Sequence, residues 1–475
     1  MLTTIQASTE HHYHFVTGRL AEHAVREITA SLAQQYQFRY SIGVMPITVA
    51  ALMTSKWLLR HLEIPDEATH LIVPGYLESG CDELQKSVKT QVICGPKDCR
   101  DLADVFGQGH VKTPPSDYDI KIIAEINHAP RLSIESVIAI AKRLRQSGAD
   151  TIDIGCDPAS RCNTIGDYVT AIVDEGLEVS IDTFDAWEAG EATRHGATLV
   201  LSVNSSNRES AKDWGAEVVV IPDQVDDKKS FEKTIDYLAR HQVPMRLDPI
   251  LEPIGGGFMP SLIRYADTRR DYPELEMMMG IGNLTELTEV DSAGINFLLL
   301  GICQELGIRS VLTTEVINWA RSSVRECDAA RKLVHYSVKN RVPPKHLSNE
   351  LVQLRDPKLK AYPQGMFASL ANTLKDNHYR LYAQDEIMHL LSAGLHLKHR
   401  DPFKLFDQLL ERPESDNVDP SHAFYLGFEL AKASIALQLG KQYEQDQALR
   451  WGMLTEEENL HRIGRGSRHR KSRPK

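Results

Sequence analysis

Five acidic or amide side chains stand at or near the ends of apolar runs in the middle of this 475-residue chain. They are Asn127 closing IIAEIN, Asp153 in TIDIG, Asp182 in VSIDT, Asn204 closing LVLSVN and Asp248 in RLDP. A strand that is hydrophobic until its last residue, then abruptly polar, aims that residue at a ligand. Carboxylates accept paired hydrogen bonds, and an amide both donates and accepts. The set suits a flat, nitrogen-rich heterocycle better than a phosphate. Negative charge beside such a ring would also stabilise positive charge developing on it. One strand-end Asp is as readily a helix cap or an ion-pair partner, so the weight lies in the recurrence.

The elements that must position these residues follow from the hydrophobic periodicity. From residue 119 the sequence reads as strand-then-helix units, the strands being DIKIIAEIN, DTIDIG, EVSIDT, TLVLSVN, EVVVIPD, PMRLDP, EMMMGIGN and RSVLTTEV. Helical spacing fills the intervals, as in SIESVIAIAKRLRQSG and SFEKTIDYLARHQ, and several helices close on Gly, which takes the left-handed cap without strain. Eight such units predict a (β/α)8 TIM barrel over residues 119–342, whose strand ends share one rim. A doubly wound open sheet is the alternative for the same pattern.

Residues 1–112 alternate shorter strands and helices (HYHFVTG, FRYSIGVM, THLIVPG, TQVICG) and predict a small flavodoxin-like α/β domain with a parallel sheet. ITVAALMTSKWLLRHL and KDCRDLADVFG read as its helices, and HVKTPPSDYD as a linker. Residues 346–460 predict a third, small α/β domain. YRLYAQ and EIMHLLSAGLHLK read as hairpin strands, DPFKLFDQLLE as an Asp-capped helix, and SHAFYLGFELAKASIALQLGKQYEQDQALRW as one long amphipathic helix. Residues 461–475 form a basic tail that reads as a solubilising extension.

Hydrophobic content of 42% and charged content of 25% describe a globular chain. No apolar run reaches the roughly 18 residues of a spanning helix, and the opening lacks the regions of a signal peptide, so the expectation is a cytoplasmic protein without membrane partners. A net charge of −11 argues against nucleic acid as the main partner. The seven scattered cysteines form no C-x-x-C pair and read as free thiols rather than zinc ligands or disulfides.

The stretch IIAEIN…GADTIDIGCDPASR…VSIDT…GATLVLSVN…RLDP resembles the pterin-binding barrel of dihydropteroate synthases, a barrel shared with cobalamin-linked pterin methyltransferases. The whole arrangement is similar to the long, three-domain dihydropteroate synthase-related proteins of archaea and some bacteria. The resemblance implies a transferase that condenses a dihydropterin methyl pyrophosphate with an arylamine, in folate or tetrahydromethanopterin biosynthesis. It places Asn127 near the pyrophosphate and its Mg²⁺, Arg161 as the anion-binding Arg of the loop above Asp153, and Asp182, Asn204 and Asp248 around the pterin ring. Asp182 becomes the natural stabiliser of the cationic methylene, no tightly bound organic cofactor is implied, and the habit of the family implies a homodimer.

Two departures from the synthase pattern stand out. The seventh strand ends in GIGN, with Asn283 in place of the usual pterin-contacting Lys, which is closer to the methyltransferase pattern. The eighth, SVLTTEV, lacks the Arg-x-His of ordinary synthases, with Glu315 in that region and Arg321 beyond. These changes put p-aminobenzoate in doubt as the amine and suit a different arylamine, such as the ribofuranosylaminobenzene phosphate used for tetrahydromethanopterin. The alternatives to condensation are a pterin-dependent methyltransferase component and a non-catalytic pterin-binding scaffold. Weaker signals are the His11, His12, His14 cluster, the PIGGG run and Lys97 in GPKD. His422, Glu429 and Lys432 read as charge on a helix surface.

Overall fold

The computed structural model describes residues 5–107, 115–348, 350–351, 354–356, 358–451, 455 and 457–458. By its internal contacts the chain forms two compact units, residues 1–119 with 331–349, and residues 120–330 with 350–475.

In the first unit β1 (His12–Gly18), β2 (Arg39–Met45), β3 (His70–Val73) and β4 (Gln91–Cys94) form a parallel sheet in the order β2-β1-β3-β4. Period-two alternation divides β1 between two cores. Tyr13 and Phe15 pack with Val25, Leu32 and Phe106, whereas Val16 packs with Leu58 and Leu84 on the opposite face. The segment expected as one helix over ITVAALMTSKWLLRHL is broken. Thr54 accepts from the Trp57 N–H at 3.2 Å and so starts a separate helix, Ser55–His61, after a 3-10 turn at Ala50–Leu52. The expected helix over KDCRDLADVFG is a 3-10 helix, Cys99–Phe106, capped by Asp98. Of the expected linker, residues 110–114 lie outside the described residues and 115–119 carry no regular structure.

The second unit holds a closed barrel of eight parallel strands: β5 (Lys121–Ile126), β6 (Thr151–Gly155), β7 (Glu178–Asp182), β8 (Leu199–Val203), β9 (Glu217–Val220), β10 (Met245–Leu247), β11 (Glu276–Gly280) and β12 (Ser310–Thr313). Pairing of β12 with β5 and of β9 with β10 closes it and excludes the open sheet. Its interior is a packed layer of Ile123, Leu199, Leu201, Val219 and Met278, with Leu312 against it. Capping side chains start the outer helices where the sequence turns: Ser133 accepts from Ser136 N and Asp227 from Ser230 N. No described helix is long and apolar enough to cross a membrane.

Beyond the barrel, β13 (Arg380–Gln384), β14 (Ile387–Ser392) and β15 (Leu395–His399) make an antiparallel meander. EIMHLLSAGLHLK is therefore itself a hairpin, turning at Gly394 with φ 72°. The final helix is shorter than expected, Pro420–Leu439, and ends where Gly440 takes φ 70°. Its charged residues are not all on the surface. Glu429 and Lys432 are buried and paired at 2.8 Å, and the Tyr443 hydroxyl donates to Glu429 at 2.7 Å.

Candidate functional site

The alternation along β5 decides what faces the barrel interior. Ile123 belongs to the interior layer, so Glu125 and then Asn127 point the same way, toward the carboxyl ends of the strands. On β6 the register sets Asp153 opposite Glu125, and on β7 it sets Ser180 opposite Asp153 and Asp182 opposite Gly155. Asp153 thus lies two residues before the strand end rather than at it, and it is completely buried. Asp182 is the last residue of β7, and Asn204 and Asp248 directly follow β8 and β10. Asn283 lies three residues past β11, in the short helix Gly282–Thr285.

Each acid is held by a donor from a neighbouring element. Ser180 Oγ donates to Asp153 Oδ1 at 2.6 Å, leaving Oδ2 buried with no partner among the described residues. Ser202 Oγ donates to Asp182 at 2.6 Å from a backbone held at φ 62°, at the point where the β8–β9 register shifts. Tyr265 donates to Asp248 Oδ1 at 2.5 Å and the Ile250 N–H at 2.8 Å, with Ile250 itself at φ 66°. A β-branched residue in the left-handed region is strained, and strain of this kind concentrates where side chains must be aimed.

The mouth is electrostatically uniform. Burial, then Asp182 and Glu286, pushes the Glu125 carboxyl up to about 7. Burial, then Asp182 and Glu125, holds Asp153 well above the ordinary carboxylate range. Burial raises Asp182, and burial raises Asp248 to about 6 against the pull of Tyr265. Asp182 is the hub, since its charge acts on Glu125, Asp153 and Asp248 alike. Among the described residues no lysine or arginine contributes to holding these acids ionised. Such a cluster favours a ligand that brings N–H donors or positive charge.

Two glycines make room. A Cβ on Gly155 would stand 2.5 Å from Glu125 Oε1, and one on Gly280 would touch both Asn283 Nδ2 at 3.5 Å and Asp248 Oδ2 at 3.7 Å. Asn283 donates to the Leu251 carbonyl at 3.2 Å and so sits beside Asp248. Asn204 spends its Oδ1 on Ser206, accepting from its N–H at 2.9 Å and its hydroxyl at 2.7 Å. Asn127 is half-buried, ahead of His128 at φ 49°. Arg161, in the loop after β6, is exposed, donates to Asp185 at 2.8 and 2.6 Å and lies over Trp187 at 5.5 Å. Asp185 in turn caps the helix Ala186–Arg194.

Glu315 and Arg321 belong elsewhere. Glu315 pairs with Arg143, and Arg321 donates to the Leu437 carbonyl at 3.2 Å. Both line a polar cavity of about 480 Å³ between the barrel and the C-terminal meander. The PIGGG run is a loop in which the Glu252 carboxylate lies against Gly257 and pairs with Arg264 at 2.8 Å, a poor setting for a phosphate. His12 and His14 both bond Ser41 Oγ, at 2.8 and 2.7 Å, and no group of three metal-ligating side chains occurs among the described residues.

Comparison with known proteins accords with this geometry. Residues 126–242 match the family described as pterin binding enzyme, residues 11–97 a family of unknown function (DUF6513), and residues 363–446 the family PterinBD-DUF4346. The uncharacterized protein MJ0107 of Methanocaldococcus jannaschii is 24% identical, covering 91% of this chain and 97% of that protein. Among solved structures, Yersinia pestis dihydropteroate synthase with a pterine-sulfa conjugate is 17% identical, covering 46% of this chain and 94% of that one, with a TM-score of 0.38. The Thermus thermophilus dihydropteroate synthase in complex with 6HMPPP is 19% identical, covering 46% and 93%, with a TM-score of 0.37. The match to the family described as pterin binding enzyme thus falls on the first half of the closed eight-stranded barrel, where Asp153, Asp182 and Asn204 stand.

Proposed function

We propose that the barrel binds a dihydropterin methyl pyrophosphate and condenses it with an arylamine, releasing pyrophosphate. The observation that carries the reading is the buried acid cluster of Glu125, Asp153, Asp182 and Asp248, each pushed up by burial, with no lysine or arginine among the described residues holding them ionised. Asp248 and Asp182 accept the paired N–H donors of the amino-pyrimidinone edge, with Asn283 and the Nδ2 of Asn204 available to its remaining acceptors. As the methylene C–O bond breaks, the electron pair leaves on pyrophosphate, and the negative cluster stabilises the cation left behind. The arylamine nitrogen then forms the C–N bond and loses a proton. Glu125, at about 7, is poised to take it. The Oδ1 of Asn127 is a hard oxygen donor, which fits a Mg²⁺ that arrives with the pyrophosphate. When bound, that ion would neutralise charge on the leaving group. Arg161 reaches the pyrophosphate only by exchanging Asp185 for it, so we assign it to closure of the loop over bound substrate.

Methyl transfer is the second reading, favoured by Asn283 standing beside Asp248 where a synthase lysine would supply a cation. A methyl group leaves a tetrahydropterin nitrogen more readily when that nitrogen is protonated, and a carboxyl raised to about 7 can donate the proton.

The two separate in one experiment, in which purified protein is incubated with dihydropterin pyrophosphate, Mg²⁺ and either p-aminobenzoate or its ribofuranosyl phosphate counterpart, then analysed by mass spectrometry. A coupled product with either amine supports condensation and names the amine. Pterin binding without product, together with demethylation of a methyl-pterin by an added corrinoid, moves the assignment to methyl transfer.

A further inference from the structure

The first unit has a cavity that the barrel chemistry does not use. In the order β2-β1-β3-β4 the chain leaves β1 toward one edge of the sheet and returns on the other side, so the topology reverses between β1 and β3. Open α/β sheets bind ligands in the crevice outside the carboxyl ends of the strands at such a point. A cavity of about 210 Å³ lies there, lined by the ends of β1, β3 and β4. Its walls are apolar, with Phe15, Ala24, Val25, Ile72 and Leu102 contributing, and its lining includes the cations Lys97, Arg100 and Lys345.

The wall is preformed. The turns VPG and CGP after β3 and β4 are stapled together, Gly75 N donating to Pro96 O at 3.0 Å and Gly95 N to Val73 O at 2.8 Å. A Cβ on Gly75 would stand 2.5 Å from the Gly95 carbonyl, so the approach requires glycine. Arg100 is forked onto Asp98 and donates to the Lys345 carbonyl at 2.5 Å, yet its Nη1 is buried without an acceptor among the described residues. A buried guanidinium N–H left unpaired is costly and is met most simply by an anion. Asp98 pairs with Arg100, and Lys97 is exposed above the Tyr76 ring at 5.9 Å.

We propose that this crevice binds a small organic anion, with a compact apolar or single-ring body in the cavity and one carboxylate or phosphate on Lys97 and Arg100. A dry cavity of about 150 Å³ already accepts benzene, so the volume suits one ring with a short substituent. The test is calorimetric titration of the full-length protein with benzoate, phenyl phosphate and neutral benzyl alcohol. One anion should bind at least about tenfold more tightly than benzyl alcohol, and Lys97→Met should weaken it about tenfold. Ala24→Trp, which fills the cavity, should abolish binding, with circular dichroism checking its fold, while Asp182→Asn in the barrel should leave it unchanged. Preference between benzoate and phenyl phosphate identifies the headgroup. Equal affinity for all three probes, no binding of either anion, full affinity in Lys97→Met, or loss of binding in Asp182→Asn would each overturn the proposal.

Discussion

Replacing Glu125 by Gln tests whether the barrel mouth is a strained cluster of like charges. The carboxyl moves from an ordinary 4.5 to about 7 because burial and its acidic neighbours oppose ionisation. Its folded pKa is raised, so the folded state binds the proton more tightly. Its stabilising contribution is complete below pH 4.5 and is lost as pH rises through 7. A shift of that size is worth about 3 kcal/mol in full, most of which falls between pH 5 and pH 8. An amide of the same shape has no proton to lose, so Glu125→Gln should remove that part of the slope and become the more stable protein at pH 8. Asp182 and Asp153 share the linkage, so the wild-type slope is steeper than one group gives and only the difference between variants is diagnostic. Because the chain has two units, hydrogen exchange of peptides covering β5 to β7 is the right assay, read as local opening free energy from pH 5 to 8. Identical slopes in the two proteins would refute the reasoning, as would wild-type protection that rises with pH.

Gly155→Ala should leave the barrel folded but drive the Glu125 carboxylate out of place, lowering pterin affinity by about tenfold or more in a calorimetric titration. Tyr265→Phe removes a donor that holds Asp248 down, so its pKa should climb above 6 and the pH dependence of pterin binding should shift upward with it, read from binding curves at several pH values. Lys432→Met strands the buried Glu429 and should cost the C-terminal meander about 3–5 kcal/mol, seen as lost exchange protection in β13 and β14. Adding Glu429→Gln should recover part of it.

The barrel was legible because all eight apolar runs keep strand length and are separated by helical spacing, and the rim acids because each interrupts a run. Glu125 escaped that reading although it lies inside the quoted IIAEIN. Attention to where the apolar run stops selects Asn127, whereas counting by twos from Ile123 selects Glu125 as well. Ser180, Ser202 and Tyr265 carry no sequence signal of their own, since their role depends on register, on a bulge and on a helix packed across the strand ends. The broken helix before Trp57 was signalled by Thr54, whose capping competes with continuation of the helix. Glu429 and Lys432 misled because charged pairs at helical spacing are ordinarily solvated, and nothing local announced that Tyr443 would fold back over them.

The first unit is discontinuous. Arg331 stacks on the Tyr118 ring at 3.5 Å, His335 meets Asp119 at 3.3 Å, and Arg100 reaches the Lys345 carbonyl. In genetic terms the barrel is an insertion within its neighbour. A ribosome delivers the four-stranded sheet first, yet that unit waits for its last contributors until roughly two hundred further residues have emerged. Its maturation is thereby timed to follow synthesis of the barrel, and a polypeptide cut at residue 119 would lack part of its own crevice wall.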